Sequence, residues 1–242
     1  RGAGHGYVGG CVPLRGGIAL SLARMRRIRE INGDDFVAVV QPGVITAELQ
    51  EKVEANSLYY PPDPASRFDC TIGGNIATNA GGPRCLKYGV TSDYVLGLEV
   101  VMADGSIARI GSRTHKNKTG FDFPRFFTGT EGLLGVVTEA TLKLIPLPPF
   151  RAALSVGLGS ISGAAKGIGL IFKSGFLPSA LEIADEFTLK AAAKRTGNKC
   201  LLGCSGHLIV ELDGQEKSVR GELREVKRLL ASLKPNFMNQ AL

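Results

Sequence analysis

Apolar positions change their spacing along the chain, and that change marks out the elements. In the first part they come in short runs and alternations, the period of strands. Residues 36–40 (FVAVV) form a continuous apolar run entered through Asn32-Gly33, a dipeptide suited to a tight hairpin turn. Residues 98–103 and 107–110 flank Asp104-Gly105, a second hairpin signal, and residues 140–145 alternate before Pro146, Pro148 and Pro149 stiffen the chain. Residues 18–22 read as one more strand. Thr46 is placed to cap a helix that carries Leu49, Val53 and Leu58 on one side. Beyond Phe150 strands and helices alternate: 152–158, 180–183 and 208–212 read as strands, and 164–173, 186–194 and 215–233 as helices. In the last of these Val219, Leu223, Val226, Leu230 and Leu233 recur on one face. A β-α-β-α-β-α order with short links predicts a small α/β layer with right-handed crossovers, ending without a closing strand.

Composition places the chain among ordinary globular proteins: 242 residues, 44% hydrophobic and 21% charged. The formal charge of +7 invites a nucleic-acid reading, but the basic residues are spread out and no aromatic-plus-basic motif accompanies them. Arg24, Arg26, Arg27 and Arg29 form the densest group and read as a solvated face. A basic balance also suits an anionic cofactor or substrate, or an acidic membrane surface. The five cysteines (Cys11, Cys70, Cys85, Cys200, Cys204) are odd in number and contain no C-x-x-C pair. That argues against a disulfide framework, a zinc ribbon or an iron–sulfur cluster held by this chain alone. No apolar run reaches the roughly 18–20 residues of a membrane span. The expectation is a cytoplasmic protein, at most peripheral to a membrane. Opening at Arg1 directly into glycines, the chain reads as truncated at both ends.

Three stretches carry the candidate chemistry. The richest is 70–89, CTIGGNIATNAGGPRCLKYG, with Gly73-Gly74, Asn75, Asn79-Ala80 and Gly81-Gly82, and no charged side chain before Arg84. Paired glycines let backbone approach a flat or charged ligand, and asparagines tolerate left-handed turns while offering amide groups. One Gly-Gly pair is an ordinary turn; two pairs with two asparagines point to a ligand loop. Residues 1–10, RGAGHGYVGG, match G-x-G-x-x-G formally. The dinucleotide fingerprint needs a helix next, and Pro13 with Gly16-Gly17 forbids one, so the glycines are read as a backbone nest for a phosphate instead. The third stretch joins Gly120-Phe121-Asp122 to Thr128-Gly129-Thr130-Glu131-Gly132 and Val136-Val137.

Taken in order, RGAGHGYVGG, PPDPAS with CTIGGNIATNAGGPRCLKYG and GLEVVMADG, and TGFDFPRFFTGTEGLLGVVTEATLKLIP resemble the flavin domain of the vanillyl-alcohol-oxidase-type FAD family. Within it they are most similar to the FAD subunit of glycolate oxidase and its D-lactate and D-2-hydroxyglutarate dehydrogenase relatives. The resemblance implies an α+β fold: a PCMH-type FAD-binding domain over 1–148, lacking its N-terminal lobe, then the start of a ferredoxin-like substrate-binding cap over 149–242. It implies FAD as cofactor. Gly2, Ala3, Gly4, His5, Gly6, Gly9 and Gly10 would cradle the pyrophosphate, and Asp63, Thr71, Gly73 and Gly74 would line the adenosine and pyrophosphate path. Thr78, Asn79, Ala80, Gly81 and Gly82 would approach the ribityl chain and ring, with Glu131, Gly132, Val136 and Val137 at the adenine end. The implied reaction is oxidation of a small 2-hydroxy acid, glycolate or D-lactate, by hydride transfer to flavin N5, with an iron–sulfur subunit as partner. The family's histidine-rich metal site and substrate arginine would lie beyond Leu242, so no catalytic residue and no metal ligand is named.

Two alternatives stand beside this reading: an inactive FAD-binding remnant, and a flavin alcohol or sugar-lactone oxidase. His5 bears on the second. Glycolate-oxidase relatives usually have threonine there, whereas sugar-lactone oxidase relatives often carry a histidine bonded to the flavin 8α-methyl; because the rest of the chain follows the threonine branch, a non-covalent flavin is expected. His115 and His207 are read as surface or strand-end residues rather than bases. Glu131 is read as a structural hydrogen-bonding group, and Cys200 with Cys204 as free thiols on a loop.

Overall fold

The structure is a computed structural model that describes residues 1–242. The chain divides into two compact units, one comprising 1–82 and 89–147 and the other 83–88 and 148–242.

In chain order the first unit contains β1 (Ile28–Asn32), β2 (Val37–Val40), α1 (Thr46–Glu54), β3 (Leu58–Tyr59) and α2 (Ile72–Thr78). The chain then passes through α3 (Cys85–Tyr88), which belongs to the second unit. It returns with β4 (Val95–Val101), β5 (Ile107–Gly111), α4 (Phe123–Phe127), β6 (Val136–Lys143) and β7 (Ile145–Pro146). The frame is an antiparallel sheet in the order β1-β2-β6-β4-β5, with β3 and β7 as a separate pair. The unbroken apolar run of β2 reflects burial on both faces: Val37, Ala38 and Val40 are wholly buried between β1 and β6. Strand β5, at the edge, alternates instead and leaves Ile107 exposed.

Local chemistry explains where the sequence reading holds and where it slips. The first hairpin does form, but through 33–36 rather than a two-residue turn. Asn32 Oδ1 accepts from the amides of Asp34 and Asp35, both at 2.9 Å, and Phe36 takes φ +54°. The second turns at Gly105 (φ +83°), where Asp104 Oδ1 accepts from Ser106. Residues 18–22 are not a strand. Ile18 and Leu20 are exposed, and beyond its own turn the segment is hydrogen-bonded only to the single residue Arg1, whose amine donates to Leu20 O and whose carbonyl accepts from Leu22 N, too little for a ladder. Nor does the Thr46 hydroxyl cap α1. It is buried and accepts from Asn75 instead.

The second unit adds, after α3, β8 (Phe150–Leu158), α5 (Ile161–Lys173), β9 (Ala180–Asp185), α6 (Glu186–Thr196), β10 (Gly206–Gly214), α7 (Glu216–Ala231) and β11 (Phe237–Ala241). Its sheet order is β11-β8-β10-β9, antiparallel throughout. Strands β8 and β9 both run against β10, so α5 connects parallel strands with β10 between them; α7 does the same for β10 and β11 around β8. That interleaving is the ferredoxin-like arrangement. Leu154, Val156, Leu208, Val210 and Leu212 of the sheet bury against Ala164, Ile171, Val219, Leu223, Val226 and Leu230 of α5 and α7. Ser160 and Asp185 start their helices by accepting from the amides of Gly163 and Thr188. The sheet does have a closing strand, contrary to the sequence expectation. β11 is short and polar (FMNQA), and it is held by register: Phe237 pairs with Gly157, whose missing Cβ leaves space for the ring.

Candidate cofactor site

Apart from residues 83–88, all three glycine-rich stretches lie in the first unit, and they meet at α2. The sequence reads 70–89 as a loop; the structure makes its first part a seven-residue helix. Thr71 caps it, Oγ1 accepting from Gly74 N at 3.2 Å, and Asn79 ends it in the left-handed region at φ 49°. Gly73 is glycine because of the protein itself. Its amide donates to Pro42 O at 2.8 Å, and a Cβ there would fall 2.5 Å from Pro42 Cβ. Gly82 is equally constrained by buried Asp63, against which a Cβ would collide. Asn75 is a strut rather than a ligand group: it is buried and donates to Thr46 Oγ1 at 2.8 Å, the same hydroxyl that lies 3.3 Å from Cys70 Sγ.

The first stretch arrives over the start of α2. A Cβ on Gly2 would lie 2.7 Å from Thr71 Oγ1 and 3.4 Å from Gly74 Cα, and one on Gly10 would lie 3.0 Å from Glu131 Oε2. The third stretch closes the other end. Gly129 N donates to Ile76 O at 2.8 Å and Glu131 N to Ala77 O at 2.7 Å, satisfying carbonyls at the C-terminal end of the helix. Glu131 does so with φ +55°, an uncommon conformation for a residue with a Cβ. Val136 and Val137 stand apart on β6, paired with Val101 and Val100.

What this leaves at the surface is backbone. Residues 3–10 are exposed, and no backbone amide from Gly2 to Gly10 donates a hydrogen bond within the chain. Gly4 and Gly9 have φ of +89° and +70°, while Gly6 and Gly9 have open space where a Cβ would stand. A run of unengaged N–H groups on a side-chain-free loop is a nest for an anion. His5 is exposed in that run, and Thr78, exposed on α2, returns its hydroxyl to Gly74 O at 3.0 Å. Two residues not singled out from the sequence fasten the far side of the loop: Thr91 donates from its amide and hydroxyl to Ala80 O at 3.1 and 2.7 Å, and Ser92 N donates to Asn79 Oδ1 at 2.9 Å. Ordinary polar residues after a lysine-tyrosine-glycine run offer no pattern that would mark them in advance.

A flat, doubly anionic dinucleotide fits such a surface: exposed amides answer its phosphates and absent side chains admit its length. Residues 1–111 match the FAD binding domain family. The chain has an FAD binding domain. It is 41% identical over 229 residues to the glycolate oxidase subunit GlcD of Bacillus subtilis (strain 168), covering 95% of this chain and 49% of that protein. It is 37% identical over 199 residues to the D-lactate dehydrogenase of Archaeoglobus fulgidus, covering 82% and 44%. The chain thus spans about half the length of the curated relatives it matches. A solved structure of alkyldihydroxyacetonephosphate synthase superposes with a TM-score of 0.85 at 20% identity, over 99% of this chain and 46% of that one, and so shares the fold.

The residues set aside from the candidate site have other surroundings. His115 is exposed, with Nε2 3.1 Å from Phe36 O. His207 is buried rather than on the surface, at the start of β10. Its Nε2 lies 2.8 Å from Ser155 Oγ, and burial lowers its pKa below the ordinary value of 6.5. Cys204 is buried, its thiol pushed up by desolvation, and Cys200 is exposed on a short 3-10 turn, Lys199–Gly203. No helix is long and apolar enough to cross a membrane.

Proposed function

We propose that this chain is the FAD-holding part of an enzyme that oxidises a small 2-hydroxy acid, glycolate or D-lactate, to the 2-oxo acid. The observation that carries the reading is the convergence of the three glycine-rich stretches on α2, with the amides of residues 2–10 left unengaged beside it. The naming of the Bacillus and Archaeoglobus relatives as a glycolate oxidase subunit and a D-lactate dehydrogenase supports the substrate class.

Bound FAD supplies a hydride acceptor, N5 of its ring. The nest of Gly2, Ala3, Gly4, His5, Gly6, Gly9 and Gly10 holds the pyrophosphate, many N–H contacts balancing two charges without a dedicated lysine. Asp63, Thr71, Gly73 and Gly74 shape the path beside it. Thr78, Asn79, Ala80, Gly81 and Gly82 face the ribityl chain and ring, where the lack of bulky side chains permits close approach. Glu131 and Gly132 close the path at the C-terminal end of α2 rather than at the adenine end the resemblance implies, and Val136 and Val137, apart on β6, take no part in it. His5 offers a ring nitrogen to the phosphates without bonding to the flavin. Acid precipitation therefore leaves all flavin in the supernatant, and a yellow pellet heavier by one FAD would refute this. The Bacillus relative is itself named a subunit, which supports an electron-accepting partner, proposed to hold an iron–sulfur cluster.

The test is an anaerobic absorbance titration of the holoprotein. Flavin bands that bleach with glycolate or D-lactate support the reading. Bands that bleach only with an alcohol or sugar lactone favour the other branch of the family, and a scan with no flavin bands after FAD addition ends the proposal.

A further inference from the structure

Immediately after Gly82 the chain leaves the first unit for six residues, 83–88, and packs in the second. The packing is ionic and specific. Arg84 Nε and Nη2 donate to Glu211 Oε1 and Oε2, each at 2.8 Å, a two-pronged pair, and Ser179 Oγ adds a third bond to Glu211 at 3.1 Å. Two residues further along β10, Asp213 accepts from Lys87 Nζ at 2.5 Å and from Tyr88 OH at 2.8 Å, while its own carbonyl accepts from the same Nζ at 2.9 Å. Glu211 and Asp213 share the face of β10 opposite Leu208, Val210 and Leu212, because alternate residues of a strand point to opposite sides.

A solvent-exposed ion pair would mean little. Here the Asp213 side chain is fully buried, and a buried carboxylate is tolerated only when its oxygens are answered. Both oxygens of each carboxylate are engaged, and the donors come from a five-residue stretch of chain. That stretch sits between two anchored points of the ring-facing loop. On one side Gly82 is wedged against Asp63. On the other the chain re-enters at Gly89, with φ +83°, and reaches Thr91 and Ser92, which bond Ala80 and Asn79.

We propose that Glu211 and Asp213 are positioning residues for the flavin: by gripping Arg84, Lys87 and Tyr88 they hold the outgoing end of loop 79–82 in its ligand-ready shape. The inference rests on the FAD-site reading above. The grip acts through the covalent chain, so loosening it lets residues 79–82 sample other conformations, and FAD affinity falls as the competent fraction falls.

The experiment titrates FAD into the full chain by flavin fluorescence, with hydrogen exchange read at the amides of Ala80, Thr91 and Ser92 and melting recorded in parallel. In Asp213→Asn, and in the milder Tyr88→Phe should the first fail to fold, affinity drops about tenfold, within the range of ordinary coupling between sites. The three amides exchange faster while the melting of Tyr88→Phe stays close to the parent's. Exchanging the pair, Arg84→Glu with Glu211→Arg, recovers affinity lost in Glu211→Arg alone. The surface control Glu225→Gln changes nothing. Parental affinity and parental exchange in Tyr88→Phe and Glu211→Arg overturn the proposal, provided Gly6→Val abolishes binding. If Gly6→Val also binds FAD normally, the FAD-site reading itself has failed.

Discussion

Gly6 and Gly73 sit in similar glycine-rich runs for opposite reasons. Around Gly6 there is only open space, whereas Gly73 is pressed against Pro42, 2.5 Å from where a Cβ would stand. Gly73→Val therefore destabilises the protein by roughly 1–3 kcal/mol through overpacking, seen as a lower melting temperature with or without FAD. Gly6→Val leaves the stability of the FAD-free protein unchanged to about 0.5 kcal/mol and lowers FAD affinity, because its cost falls on the ligand alone. A matching loss of stability in Gly6→Val would remove it from the site. His207 yields a pH prediction. Burial holds its folded pKa below 6.5, so at low pH the unfolded chain takes up the proton first. Stability is then full above pH 6.5 and declines as the pH falls from there through the lowered folded value. Melting curves at pH 7.5 and 5.5 should converge in His207→Gln relative to the parent; an unchanged difference would show that other groups govern this range.

At the scale of elements, α7 is the clearest product of its sequence. Val219, Leu223, Val226 and Leu230 recur at helical spacing and all reach the core under the four-stranded sheet. Leu230 is 0% exposed, and Leu230→Ala removes its packing and leaves a cavity, costing about 2–5 kcal/mol in urea unfolding. A loss under 1 kcal/mol would mean that the helix closes over the gap. Helix α2 is the reverse case. Two glycines in seven residues disfavour a helix by roughly 1 kcal/mol each relative to alanine. It forms because its surroundings satisfy its ends: Thr71 and Pro42 at the start, Gly129 and Glu131 at the finish. Strand β11, with only Phe237 and Met238 to mark it, exists because β8 offers a free edge.

For the whole molecule, the proposed site has FAD bind the folded first unit and not the unfolded chain, so that it stabilises by mass action. At FAD one hundred times its Kd the gain is about 2.7 kcal/mol, measurable as a concentration-dependent rise in melting temperature. No shift at saturating FAD would contradict the proposed site. Much of this protein was legible in the sequence alone. The two hairpins of the first unit, the alternating strands and helices beyond Phe150, and the three glycine-rich stretches are local signals, since spacing, turn residues and missing side chains act within a few positions of one another. The tertiary structure alone decided the rest. It made 72–78 a helix, denied 18–22 a strand, closed the second sheet with β11, and turned Asn75 from a ligand candidate into a strut. It also sorted the glycines packed against protein from those left open, and matched Arg84, Lys87 and Tyr88 to carboxylates more than a hundred residues away. Each of these outcomes depends on a partner distant in the chain, and the free energy of such a contact is set by the partner's position rather than by the residue's neighbours in sequence.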